Sequence, residues 1–124
     1  MNKICTTIEQ SQKLIELGID VNTADMYWWY GGKIHYVEAM DDGDFNKESD
    51  IPAWSLTALL GLMPDRLYIN DDEEYWFKLD NVGGLYRCYY EEDEFEYDLS
   101  FFDGEEPIDV LFNMVIWLKE NNNI

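Results

Sequence analysis

The spacing of apolar side chains along this chain switches repeatedly between helical and strand periods, and the switches divide it into elements. Near the start, Ile8, Leu14, Ile15 and Leu17 form a helical stripe. Thr6 or Thr7 can cap this helix, because Glu9 and Gln10 stand three residues later at capping-box spacing. Gly18 suits a left-handed stop, after which Ile19 and Val21 are expected to fold back onto the helix end. From Met26 the pattern turns aromatic and β-branched. Met26 to Tyr30 and Lys33 to Met40 flank Gly31-Gly32, which predicts a hairpin. Its second strand sets Ile34, Tyr36 and Glu38 on one face and His35, Val37 and Ala39 on the other.

After the acidic loop from Asp41 to Asp50, IPAWSLTALLGLMP reads as a short helix. Asp50 would cap it, Pro52 would lie in its first turn, and Pro64 would end it. Leu56, Leu59, Leu60 and Met63 supply its buried stripe. A meander follows: Glu74 to Asp80 and Leu85 to Glu91 flank the turn Asn81-Val82-Gly83-Gly84. A third strand runs from Glu94 to Phe102, with Phe95, Tyr97, Leu99 and Phe101 alternating against Glu94, Glu96, Asp98 and Ser100. That alternation predicts one packed face and one acidic face. Pro107 then opens a helix through Glu120, apolar on most sides and therefore expected to be central. The fold expected is one α+β domain over residues 1–124. Its antiparallel sheet has about five strands, a hairpin plus a meander. The C-terminal helix packs on that sheet, with two further short helices.

Charge changes this picture more than composition does. The chain carries 27 carboxylates and eight basic side chains, a net charge of −19, yet 47% of its residues are hydrophobic. That apolar share excludes an acidic disordered tail. The field repels nucleic acid and anionic membrane, and attracts cations or basic protein surfaces. No apolar run approaches the roughly 20 residues of a membrane-spanning helix, and MNKICTTIEQ lacks a signal-peptide core. A cytoplasmic setting is expected, with Cys5 and Cys88 as reduced, partly buried thiols.

No complete catalytic motif is present, and no cofactor is expected. Asp42, Asp44 and Asn46 match the first ligand positions of a calcium loop. The glycine position, however, holds Lys47 and the bidentate glutamate position holds Ala53. One histidine, His35, and two distant cysteines do not make a zinc set, so no metal site is expected and His35 reads as a half-buried strand residue. Paired-carboxylate catalysis needs two acids at a set separation in a cleft, which abundance alone does not supply. The run Tyr27-Trp28-Trp29-Tyr30 could expose a stacking surface, but single-stranded nucleic acid would also need a positive groove.

The remaining candidate is the acidic face around Glu92, Asp93, Glu94, Glu96 and Asp98. Alternate side chains on a strand repeat at about 6.6 Å, close to the roughly 6.8 Å of two base-pair rises. Glu94, Glu96 and Asp98 could therefore imitate a short row of phosphates. The bland alternative is a solvated strand face.

Three segments also resemble a known group. KICTTIEQSQKLIELGID with TADM, IPAWSLTALLGLMP and PIDVLFNMVIWLKEN resemble an uncharacterised family of small acidic proteins from gut anaerobes, their prophages and mobile elements. The resemblance touches the beginning, middle and end, and implies one domain in a bacterial cytoplasm. It carries no catalytic residue or cofactor, and implies a phage-related accessory protein that modulates a host protein. The function expected is thus a non-enzymatic acidic interaction protein that binds a basic host protein, possible targets including nucleic-acid-binding ones. The alternative is a small enzyme or small-molecule binder using carboxylates and aromatics in a pocket.

Overall fold

A computed structural model describes residues 3–31, 35–40, 45–70, 73–92 and 98–124 (at 69, 70 and 98–100, the backbone). The first helix, α1 (Ile8–Glu16), begins with Thr7 as its cap. Gln10 N–H donates to Thr7 Oγ1 at 3.1 Å, and Thr7 N–H donates to Gln10 Oε1 at 3.0 Å, a reciprocal capping box. At the other end Gly18 takes φ +89°, Gly18 N–H donates to Ile15 O and Ile19 N–H donates to Leu14 O. This is the Schellman stop, and it turns Ile19 inward beside Leu14 in the core. Ile15, part of the apolar stripe, is 38% exposed.

A 3-10 turn (Val21–Thr23) leads to β1 (Met26–Tyr30), which pairs antiparallel with β2 (His35–Ala39) as the aromatic hairpin pattern predicts. The next segment corrects the sequence reading. Ile51–Ala53 is not the first turn of a helix but an edge strand, β3, paired with β1 through Tyr27↔Pro52. Proline lacks the amide donor that a central strand needs but is tolerated on an edge. The helix α2 (Leu56–Leu62) starts later, with Ser55 as its cap, and Asp50 instead accepts from Asn46 N–H at 2.8 Å. Leu60, assigned to its buried stripe, is 37% exposed.

The second sheet is built in order β4 (Arg66–Asn70), β5 (Glu73–Val82), β6 (Leu85–Glu91) and β7 (Asp98–Gly104). The described residues thus hold seven strands in two antiparallel sheets, where the pattern counts about five in one. The two extra strands are β3 and β4, both short and at edges. Between β5 and β6, Val82 pairs with Leu85, so Val82 belongs to the strand. Gly83 and Gly84 alone make the turn, at φ +61° and +87°, the signs that a two-residue type I′ turn requires.

Helix α3 (Pro107–Glu120) is central as its pattern predicts, lying against β6, β7 and α2. Leu111, Met114, Val115 and Leu118 are fully buried. They meet Cys88 and Tyr90 from β6 and Trp54 from the link between β3 and α2. The architecture is α+β, with the C-terminal helix packed on sheet. Cys5 and Cys88 are both buried free thiols. Among the described residues no helix is long and apolar enough to cross a membrane.

A buried polar knot ties the start of the chain to this core. Thr6, Ser11 and Trp54 are wholly inaccessible. Thr6 Oγ1 accepts from Trp54 N–H at 3.0 Å and shares a hydrogen bond with Ser11 Oγ at 2.8 Å. Trp54 Nε1–H donates to Thr23 Oγ1 at 2.9 Å. Asp25 accepts from both the backbone N–H and the hydroxyl of Ser55, which orients the α2 cap. The polar residues at these positions satisfy donors that burial would otherwise orphan.

Candidate functional site

Of the candidate acidic face, Asp93, Glu94 and Glu96 lie outside the described residues, as do Asp42 and Asp44 of the calcium-like loop. Asp98 opens β7 in register with Glu91. Glu92 is half-buried beside Tyr75. Burial, then the carboxylates of Glu73 and Glu92, push the Tyr75 hydroxyl above its ordinary range. Glu92 is therefore held against a core tyrosine.

The third meander strand departs from the alternation in a way that matters for its surface. Tyr89 pairs with Phe101 but Tyr90 pairs with Leu99, so Ser100 is an extra residue, a bulge. A bulge reverses the facing of everything on one side of it. Phe101, assigned to the packed face, is consequently 43% exposed, while Phe102 stands opposite buried Cys88 and packs on the core.

The two faces of the four-stranded sheet can now be separated. Tyr75, Cys88 and Tyr90 point to the core. The other face is ordered in rows by the strand register. Tyr68 lies beside Glu74; Arg66 beside Trp76 and Glu91; Lys78 beside Tyr89 and Phe101; Asp80 beside Arg87 and Asp103; Val82 beside Leu85. Helix α3, which packs on β6 and β7, meets the core face. Tyr68 is 63% exposed and Val82 65%, large values for such side chains.

Both arginines of the chain stand on this face, each stacked on an aromatic ring. The Arg66 guanidinium lies 4.8 Å from the Trp76 ring and bonds Glu74 Oε1 at 3.0 Å. Arg87 lies 4.5 Å from the Phe101 ring, with Asp103 Oδ2 at 3.9 Å. Tyr89 O–H donates to Asp80 Oδ2 at 2.7 Å. Planar cations held on aromatic faces are preorganised, and Trp, Tyr and Arg are the residues that dominate protein interfaces. The sequence pattern of Glu74 to Glu91 carries this face, but its extent depends on β4 and on the Ser100 bulge, neither of which is visible locally.

The three-stranded sheet offers less than its aromatic run suggests. Tyr27 is buried and donates its hydroxyl to Glu38 Oε2 at 3.1 Å; Trp28 Nε1–H donates to Thr6 O at 2.9 Å. Trp29 stacks on Tyr36 at 4.7 Å, and a Cβ at Gly31 would strike the Tyr36 ring. Trp29 Nε1 is a buried donor with no partner among the described residues. His35, expected to be half-buried, is exposed beside Tyr30.

A cleft of about 620 Å³ opens between α1, the 3-10 turn and β3. Ile15, Val21, Met40, Phe45, Ile51 and Pro52 form its apolar wall, with Lys47 and Asp50 at the rim. A smaller recess of about 370 Å³ holds Glu38 and Asp50, each already engaged, by the Tyr27 hydroxyl and the Asn46 amide respectively. Among the described residues, no group of three or more His, Cys, Asp or Glu side chains is placed to hold a metal. Comparison with protein-family models, with curated proteins and with solved structures finds no match to this chain.

Proposed function

We propose that this chain is a non-enzymatic acidic interaction protein that binds a basic surface on a partner protein. One observation carries the reading. Eight basic side chains can neutralise at most eight of the 27 carboxylates, so at least 19 have no cation from within the chain. Only three ion pairs form among the described residues, all partly exposed, and such pairs contribute little. The self-repulsion this leaves is relieved by a cationic partner, which gives association an electrostatic driving force and a fast encounter. In the setting implied by the resemblance, the partner is a bacterial host protein, with a nucleic-acid-binding protein the natural class. The phosphate-row form of the reading rests on Glu94, Glu96 and Asp98.

The test is capture from a nuclease-treated bacterial lysate, washed at rising salt, with wild type and the triple variant Glu94→Gln, Glu96→Gln, Asp98→Asn. The expected result is one basic protein released by moderate salt and lost from the variant. Salt-insensitive capture would refute the electrostatic reading; capture unchanged by the variant would remove the phosphate row. The apolar cleft favours a second reading as a small-molecule binder, since its volume lies within the usual ligand range. A thermal-shift screen showing stabilisation that Val21→Glu abolishes would support that reading instead.

A further inference from the structure

The outer face of the four-stranded sheet has a composition unlike the rest of the molecule. Counting Asp98 by its register position, it gathers three of the eight basic residues with five of the 27 carboxylates. The rest of the chain carries the other five basic residues and 22 acids. A chain of net charge −19 meets strong repulsion from another copy of itself along most approaches. Along this face the net charge is low, and here lie the exposed aromatics Tyr68 and Phe101.

We propose that the occupant of this face is a second copy of the chain, in a two-fold dimer packed sheet against sheet. The rows show why. A two-fold axis parallel to the strands, between β5 and β6, lays β5 of one copy over β6 of the other in the same row. Lys78 then faces the second copy's Tyr89, Asp80 faces the second copy's Arg87, and Val82 faces the second copy's Leu85. Trp76 meets the second copy's Glu91. Every one of these meetings occurs twice by symmetry, and none sets like charges together. An axis perpendicular to the strands through the row of Lys78 would instead set Lys78 against itself, cation against cation, and no axis in that direction pairs Asp80 with the second copy's Arg87. Sheets packed this way lie about 10 Å apart.

The size also fits. Four strands at about 4.8 Å and seven residues at about 3.4 Å give a projected area of roughly 450 Å². Side-chain relief brings the accessible surface toward the roughly 800 Å² per partner of standard interfaces. The Arg66–Trp76 and Arg87–Phe101 stacks would be shielded anchors in this contact.

This dimer does not rest on the proposed partner, although both use Asp98, and salt separates the two. Screening the net repulsion strengthens self-association as salt rises, whereas capture of a basic protein weakens. The experiment is sedimentation velocity of the full chain at 50 and 500 mM salt, wild type beside Asp80→Arg and Arg87→Asp. Wild type is expected at twice the 14.7 kDa chain mass, more completely at high salt. Each single variant places like charges in contact twice and should weaken the dimer at least roughly tenfold. Mixing the two variants restores opposite charges across the contact, so the mixture should dimerise again, which neither variant could do if it were merely misfolded. Wild type that stays monomeric at both salts would overturn the proposal. So would variants that still dimerise alone, or a mixture that remains monomeric.

Discussion

Replacing Thr6 with valine tests whether the buried polar knot, rather than apolar packing alone, holds the first helix to the core. Valine keeps the volume and the buried methyl but removes Oγ1, which accepts from Trp54 N–H at 3.0 Å and pairs with Ser11 Oγ at 2.8 Å. All three residues are inaccessible to water. An orphaned buried donor costs about 1–3 kcal/mol. The Ser11 hydroxyl can partly recover by turning to a carbonyl one turn back in α1, whereas Trp54 N–H has no such freedom. The net loss should be about 2–4 kcal/mol, or roughly 8–16 °C in Tm for a domain of this size. Chemical denaturation of Thr6→Val, Ser11→Ala and the double variant measures it. The double variant should lose less than the sum of the singles, because both remove the same hydrogen bond. A Thr6→Val variant within about 0.5 kcal/mol of wild type would refute the reasoning, since a surface-like cost means no buried donor was orphaned.

The remaining predictions concern other parts of the fold. Gly84→Val should destabilise the β5–β6 hairpin by about 1–2 kcal/mol, because φ +87° is costly for a side chain with a Cβ; an equal loss for Gly83→Asn would contradict this conformational cause. Leu111→Ala, at the fully buried centre of α3, should cost about 2–5 kcal/mol by urea denaturation, and a loss near zero would show that the helix is not central. Burial pushes the Cys88 thiol up to about 12, and burial with the nearby Asp25 charge pushes Cys5 up to about 11. Both values are raised, so their contribution to stability is fully present below pH 9 and falls as pH rises toward 11 and 12. Denaturation midpoints measured from pH 8 to 11 should decline, and Cys88→Ala should flatten part of that slope. At pH 8 a thiol reagent should label neither cysteine in the native chain and both after unfolding; rapid native labelling would contradict their burial.

Much of this architecture is legible locally because its signals are local. The capping box of Thr7 and Gln10, the Gly18 stop, the Gly83-Gly84 turn and the apolar α3 each involve residues within a turn or two of one another. The misread elements are those settled at a distance. Ile51–Ala53 carries a proline and a following helical stripe, and becomes a strand only because β1 offers it an edge. Arg66–Asn70 is a strand by pairing with β5. At Ser100 the sequence alternates without interruption, yet pairing with β6 inserts a bulge and turns Phe101 outward.

The same division governs the surface. Composition by itself determined that the chain is acidic far beyond what its own cations can neutralise, and that its folded core is aromatic and aliphatic. Only the tertiary structure decided where the few cations stand. Arg66 and Arg87 are 21 positions apart in sequence, each with its own aromatic ring, and share a face because three strand pairings carry β4 to β7 into one sheet. Charge is a property that sums along a chain. The face on which a charge appears is set by pairing register, which belongs to contacts between segments rather than to either segment alone.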